Sequence, residues 1–211
     1  MNIAVIGTGR VGASLAGAWT AAGHRIVLGA RDPDGADARE LAGRLGARLA
    51  TPAGAAAEAE VVVLAVPADA LPDLVPALGL EGKVTVDCTN PVDPRGPSPL
   101  PAPGPDGSAA ALIARLAPGA LVVKGLNTLG SALLARAGTA PGAVTFMAGD
   151  APWAKEVLAS LGADLGFAET VDVGGLDAAP LVEAIAAAWI TLAYRQGRGP
   201  DFSFAIATPR P

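Results

Sequence analysis

The chain opens MNIAVIGTGRVG, and its three glycines are the first residues whose spacing could do chemistry. Gly7, Gly9 and Gly12 follow directly on the apolar run Ile3–Ile6 in the pattern GxGxxG. In that order such glycines make a tight turn, let phosphates approach the backbone, and let the next helix lie close to its strand. The helix N-terminus then offers free N–H groups and a partial positive charge to the phosphates. Glycine-rich turns are common, so the pattern counts only with a strand before it, a helix after it and a second strand completing a βαβ unit. All three are readable here. Gly7, Thr8, Gly9, Arg10, Val11 and Gly12 are therefore expected to hold the pyrophosphate of a dinucleotide.

The end of the second strand selects among dinucleotides. It reads IVLGARD. A cofactor without a 2′-phosphate prefers a carboxylate there, bonding the ribose hydroxyls. This chain has Ala30 at that place and Arg31 next to it. A guanidinium without a carboxylate suits a 2′-phosphate, which it grips by forked hydrogen bonds, so NADP(H) is expected; Arg10 could reach the same region. The competing reading pairs Arg31 with Asp32 or Asp34 at the surface. The fourth strand runs VVVLAVPADAL and is stopped by Pro67, which places Val66, Pro67 and Ala68 under the nicotinamide side. The fifth ends VDCTNP, bringing Thr89 and Asn90 to the same edge, with Asp87 read as a structural group bonding the strand ends.

Other chemistry has little material. Cys88 is the only cysteine and His24 the only histidine. No disulfide within the chain can form, and His-based triads or Cys/His zinc sites lack ligands. Cys88 reads as a buried structural thiol and His24 as a turn residue after Gly23. The formal net charge of -5 argues against nucleic acid as a partner, which would need a basic face. Hydrophobic residues make up 51% of the chain and mean hydropathy is +0.43, but the excess is largely alanine. The most apolar long stretch, Ala178 to Ala193, carries Glu183 inside it and reads as a buried helix and not a membrane span. The N-terminus goes straight into a strand pattern with no secretion signal, so a cytoplasmic protein is expected.

The elements that must position these residues alternate in kind. Strand candidates are Ile3–Ile6, Arg25–Gly29, Ala47–Ala50, Val61–Val66, Lys83–Asp87 and Leu121–Lys124. They are near-continuous apolar runs, as in parallel strands buried on both faces. Ala/Leu-rich helical stretches separate most of them. The fold class is therefore α/β, a Rossmann-type doubly wound, mostly parallel sheet. Its first helix carries Val11, Leu15 and Trp19 on one stripe, with small Gly12 and Ala16 beside it. The segment Asn90 to Gly107 is dense in proline and glycine and starts at the carboxyl edge. It is either a functional loop or disordered. Beyond Lys124 the pattern changes to strands Ala143–Gly149 and Phe167–Val173, a helix from Pro152 to Leu161, and a long helix from Ala178 to Gln196. We divide the chain into a dinucleotide-binding domain, 1–125, and a small α+β extension, 126–211, that closes a cleft. The last helix carries a stripe of Leu181, Ile185, Trp189 and Leu192 among alanines and is apolar on nearly every side. Such a helix needs cover on more than one side; a small sheet could supply one cover and a second subunit the other, so a homodimer is expected.

Taken together, the segments IAVIGTGRVG, GHRIVLGARD, VVVLAVP, DCTNP, SAAALIARLAPGALVVKGLNTLG, FMAGD and DVGGLDAAPLVEAIAAAWITLA resemble the NADPH-dependent reductases of the deazaflavin coenzyme F-420 (F420). The first and third are shared by many Rossmann reductases; the VVKGLNTLG and DVGGL…LVE pieces are more specific. The pattern is also similar to the reductase domain of membrane ferric reductases. Larger relatives, imine reductases and β-hydroxyacid dehydrogenases, carry a long helical domain for substrate that is not read here. The resemblance implies hydride transfer between NADPH and F420, achieved by positioning two rings and without a catalytic acid or base. It also implies that Asn127, Thr128 and Leu129 face the deazaflavin, with Leu176 from the C-terminal part; the competing reading of Leu129 and Leu176 is core. Three features depart from the family: Pro180 stands where Arg is frequent, Gly174-Gly175-Leu176 replaces a Gly-Pro-Leu, and the long proline-rich loop is unusual. All concern the acceptor side. The alternatives are an NADPH-dependent reductase of another acceptor, such as a flavin, a ferric chelate or a small carbonyl or imine compound, and a non-catalytic NADP-binding sensor.

Overall fold

A computed structural model describes residues 1–91, 106–134 and 136–207. The strands are β1 (Asn2–Ile6), β2 (Arg25–Gly29), β3 (Arg48–Ala50), β4 (Val61–Leu64), β5 (Val84–Asp87), β6 (Leu121–Gly125), β7 (Val144–Gly149) and β8 (Glu169–Asp172). The helices are α1 (Arg10–Ala21), α2 (Ala36–Leu45), α3 (Pro52–Ala57), α4 (Leu71–Leu74), α5 (Ala109–Leu116), α6 (Ser131–Leu134), α7 (Pro152–Asp164) and α8 (Ala179–Ile190). The proline-rich segment expected to be functional or disordered lies largely outside the described residues.

The strands form one sheet in the order β3-β2-β1-β4-β5-β6-β7-β8. All neighbours are parallel except β6 and β7. The Rossmann-type α/β fold is thus the observed one. Alternation along each strand separates two cores. Ile3, Val5, Val61, Val63 and Val86 face α1, α2, α6 and α7, while Ala4, Ile6, Val62 and Leu64 face α3, α4, α5 and α8. Apolar side chains thus leave water on both faces, at about 1.5–3 kcal/mol for each large one. Trp19 of α1 is fully buried and donates its indole N–H to the Leu161 carbonyl of α7 at 3.1 Å, tying the two ends of the chain.

Three expectations are corrected. The fourth strand ends at Leu64 and not Val66; Ala65 keeps one bond to the Ile6 carbonyl, and Pro67, without an N–H, begins a 3₁₀ turn. The two late strands do not make a small sheet of their own, because β7 pairs with β6 and extends the main one. The stripe of the last helix is also rotated. Its buried face is Ala179, Val182, Glu183, Ala186, Ala187 and Trp189, whereas Leu181 is 53% exposed and Leu192 is also exposed. Small residues let the helix axis approach the sheet closely, so the alanines and not the leucines form the contact. Leu176–Arg195 is long and apolar enough to cross a membrane by length and composition. In the structure its inner face instead packs on the sheet, and its carboxylate is engaged inside the protein.

Candidate active site

Register aligns the strand ends. Ile6 stands beside Leu64, Leu64 beside Asp87 and Asp87 beside Lys124. The residues that follow each of them form one continuous carboxyl edge.

At the first position of that edge the glycines divide their tasks. Gly7 has φ +111, and a Cβ there would lie 2.4 Å from the Ala65 carbonyl oxygen. A Cβ on Gly12 would lie 2.0 Å from the Gly7 carbonyl oxygen. These two glycines are required by the protein itself. Gly9 is different: no protein atom comes within 4 Å of where its Cβ would be. It caps α1 with extended backbone, no side-chain cap and no acidic residue in the first turn. The first-turn N–H groups of Arg10, Val11 and Gly12 have no intrahelical acceptor. Open space in front of unpaired donors at a positive helix end fits a pyrophosphate. Thr8 is half-buried beside it, and the half-buried Val11 side chain packs on the core.

The cleft beside these glycines has a volume of about 540 Å³ and is lined by Gly7, Thr8, Gly9, Arg31, Pro52, Val66, Pro67, Ala70, Asp73 and Leu74, among others. Ala30 is buried just past β2 and offers no carboxylate. Arg31 is exposed, and its side chain makes no ion pair among the described residues. Asp34 is taken by Arg39, and Asp32 accepts the Asp34 N–H at 3.2 Å. The surface pairing of Arg31 with Asp32 or Asp34 is therefore not formed, and its guanidinium is free at the mouth of the cleft. Arg10 is exposed at the start of α1, Pro67 is exposed, and Ala68 beyond it is half-buried against the core.

Further along the edge, β5 and β6 are joined by reciprocal amide bonds. Asn90 Nδ2 donates to the Asn127 carbonyl and Asn127 Nδ2 donates to Asn90 Oδ1, each at 3.0 Å. Leu126, just before, is the only non-glycine residue with positive φ among those described, at φ 57. For leucine that conformation costs about 1–2 kcal/mol, and it turns Asn127 toward Asn90. Three buried polar atoms at this edge have no partner among the described residues: Thr89 Oγ1, Asn127 Oδ1 and Thr128 Oγ1. Buried polar groups are normally satisfied. A carboxamide, with one donor group and one acceptor, has the chemistry to satisfy such a cluster.

Beneath lies a group that the sequence reading did not assemble. Lys124 Nζ donates to Asp87 Oδ2 at 2.9 Å and to the Thr89 carbonyl, and is 3.3 Å from Glu183 Oε1. All three ionisable side chains are buried. Asp87 Oδ1 accepts the Thr89 N–H at 2.8 Å, so its structural role at the strand ends is the observed one. Burial pushes the Glu183 carboxyl above the usual carboxylate range, against the pull of Lys124 and the Ala109 N–H. Burial, aided by Asp87, pushes the Cys88 thiol far above its ordinary range, which leaves it an inert packing group. His24 stands at the opposite, amino edge, bonded to Asp164 at 2.9 Å.

The expected acceptor residues do not all meet. Asn127 and Thr128 are buried at the carboxyl edge, and Leu129 is buried in the core facing α1 and α7. Leu176 is elsewhere. Because β7 runs against β6, Gly125 faces Met147 and Val123 faces Gly149. The Gly149 N–H then meets the Gly174 carbonyl, and the Leu176 N–H donates to Asp150 Oδ1 at 2.8 Å. Leu176 therefore lies toward the amino edge and packs on the other core, away from Asn127–Leu129. What the last helix does bring to the carboxyl edge is Trp189. A Cβ on Gly130 would lie 2.8 Å from its ring. Its indole donates to the Phe202 carbonyl at 3.0 Å and stacks on the Phe202 ring at 5.3 Å. From the sequence, Trp189 stands out only as one residue of the apolar stripe on the last helix.

A family model described as NADP oxidoreductase, coenzyme F420-dependent, matches residues 2–91. The F420-dependent NADP reductase of Methanothermobacter thermautotrophicus is 32% identical over 209 residues, covering 92% of this chain and 90% of that protein. The chain belongs to the F420-dependent NADP reductase family. Among solved structures, one described as a putative F420-dependent NADP reductase from Arthrobacter sp. FB24 is 34% identical, with TM-score 0.89, covering 99% of this chain and 100% of that one. A reductive aminase from Aspergillus terreus, solved with NADPH and ethyl levulinate, shares the fold at 22% identity and TM-score 0.69, covering 94% of this chain and 62% of that one. In this F420-dependent NADP reductase family member, the edge from Gly9 to Thr128 combines open space at a helix start with buried polar atoms that no described residue satisfies.

Proposed function

We propose that this protein transfers hydride between NADPH and coenzyme F420 along the carboxyl edge of its sheet. The observation that carries the reading is the set of unsatisfied groups and open space along that edge. It runs from free Arg31, through the open space at Gly9, to the partnerless Thr89, Asn127 and Thr128 oxygens. When both are bound, NADPH supplies hydride from its nicotinamide C4 and F420 accepts it at C5.

The chain's own part is binding and aim. Arg31, with Arg10 near it, holds the 2′-phosphate. The first turn of α1 holds the pyrophosphate. Val66, Pro67 and Ala68 form the floor beside the nicotinamide, and Thr89 and Asn90 fix its carboxamide end. Asn127 and Thr128 lie between nicotinamide and acceptor. Such orientation accounts for a large rate factor without an acid or base. Residues 1–125 serve as the nucleotide-binding part and 126–211 as the acceptor side, with Trp189 and Phe202 nearer to the acceptor than Leu176. We further propose a homodimer formed through the outer face of α8, where Leu181 is exposed, and a cytoplasmic enzyme whose partners are small molecules.

The test mixes the protein with NADPH and oxidised F420 and follows the visible absorbance of the deazaflavin, with free flavin and ferric citrate in parallel. Bleaching of F420 in step with NADPH oxidation is the expected result. Turnover of another acceptor with no bleaching of F420 overturns the reading, and tight NADPH binding with no oxidation by any acceptor indicates a sensor.

A further inference from the structure

We propose that Lys124, held between Asp87 and Glu183, is a positioning residue for hydride transfer that fixes the nicotinamide-facing end of β5 to the C-terminal helix. The proposal rests on reading the β5 and β6 ends as the hydride-transfer site.

The geometry is specific. An ammonium group has three hydrogens to donate. Lys124 has three acceptors around it: Asp87 Oδ2, the Thr89 carbonyl and Glu183 Oε1. Asp87 returns a bond from its other oxygen to the Thr89 N–H. Both backbone groups of Thr89 are thus held by the two members of one ion pair. Its hydroxyl remains without a protein partner, and the next residue, Asn90, is locked to Asn127. Rotation of Thr89 or a shift along the strand axis would break two charge-assisted bonds together.

Glu183 extends the clamp across the chain. It lies on α8, and Oε1 also accepts the N–H of Ala109, the first residue of α5, at 2.9 Å. One ammonium group therefore joins the end of β5, the start of α5 and the middle of α8. Stability alone is a poor reason for such a cluster. Desolvating each ion costs several kcal/mol, and apolar replacements of similar volume are often as stable. Glu183 Oε2 is also left buried without a partner, a further cost. What the cluster provides is a fixed geometry at Thr89, and hydride transfer is sensitive to displacements of about 1 Å.

The test uses the full chain with Lys124→Met, Glu183→Gln and the neutral double variant Asp87→Asn/Lys124→Met. The double variant keeps the proposal testable if an unpaired Asp87 prevents folding. Three quantities are measured: the NADPH dissociation constant, the single-turnover hydride rate with its isotope effect from 4-deuterated NADPH, and the intermolecular NOE between nicotinamide H4 and the Thr89 methyl. Lys124→Met is expected to bind NADPH within about 3-fold of wild type, because the phosphate contacts are untouched. Its hydride rate should fall about 10- to 100-fold, with a weakened NOE. Glu183→Gln, which can still accept the Ala109 N–H, should show a smaller loss. The double variant should regain melting temperature and not rate. A folded Lys124→Met or double variant with wild-type rate and NOE would overturn the proposal and leave Lys124 a structural residue. Failure of the wild type to reduce F420 would count against the functional reading only, since the NOE is measured with no acceptor present.

Discussion

At the scale of single residues, two glycines three apart in the same motif should fail in opposite ways. Gly12→Ala places a methyl 2.0 Å from the Gly7 carbonyl oxygen, and overpacking of this kind costs about 1–3 kcal/mol. Gly9→Ala meets no protein atom and should cost no more than about 1 kcal/mol at a helix cap, while NADPH binding falls sharply. Thermal melting and NADPH titration of the two variants check this. Arg31→Ala should lose most of the preference for NADPH over NADH, roughly 10- to 100-fold if the lost bonds to phosphate are worth about 1.5–3 kcal/mol; equal affinities in the wild type would contradict it. The glycine spacing was legible in the sequence because the positive φ of Gly7 and the contact of Gly12 with the Gly7 carbonyl belong to one local turn, and Arg31 because its neighbour Ala30 offers no carboxylate. Lys124 and Glu183 were not, because Asp87 and Ala109 are 37 and 74 positions away from them. Each was visible only as a charge inside an apolar run, which signals that a partner exists and not which one.

At the scale of elements, the parallel strands were readable to within a residue or two because burial on both faces makes them continuous apolar runs. The last helix was misread for a physical reason. Side-chain size suggested that its leucines face inward, but closeness to the sheet is set by alanine. Ala186→Leu on the inner face should destabilise by about 1–3 kcal/mol in thermal or urea melts. Leu181→Glu on the outer face should leave the fold intact and convert the proposed dimer to monomer, as read by light scattering or sedimentation. An unchanged mass would remove that face as the subunit contact. The position of Leu176 was illegible for a related reason: nothing local announces that β7 reverses direction, and that reversal alone sends the DVGGL segment to the far edge.

At the scale of the whole molecule, pH should act through Glu183 and Asp172, two carboxylates shifted in opposite senses. Burial raises the Glu183 carboxyl, so the folded state favours its proton. Its contribution to stability is full below the ordinary glutamate range and is lost as pH rises through the raised value. The groups around it are Lys124 of β6, Asp87 of β5 and the Ala109 N–H of α5. Asp172 is the reverse: the hydrogen bond from Lys155 lowers it, so its contribution is present above the ordinary aspartate range and lost on acidification. Melting temperature followed across pH should show a decline above the ordinary glutamate range that Glu183→Gln removes, with the acid limb unchanged. A decline that persists in the variant would place its cause elsewhere.

Trp189 gives the molecule an optical gauge of its own. The chain has three tryptophans: Trp19 is sealed in one core, Trp153 is open to solvent, and Trp189 is clasped between Gly130 and Phe202 at the carboxyl edge. Their surroundings differ enough to separate their light. A water-soluble quencher will silence Trp153 first. A reduced nicotinamide, which absorbs where indole emits, will then draw energy most strongly from the nearest ring. Replacing Trp19 and Trp153 with phenylalanine would leave a single lamp beside the proposed meeting place of the two cofactors.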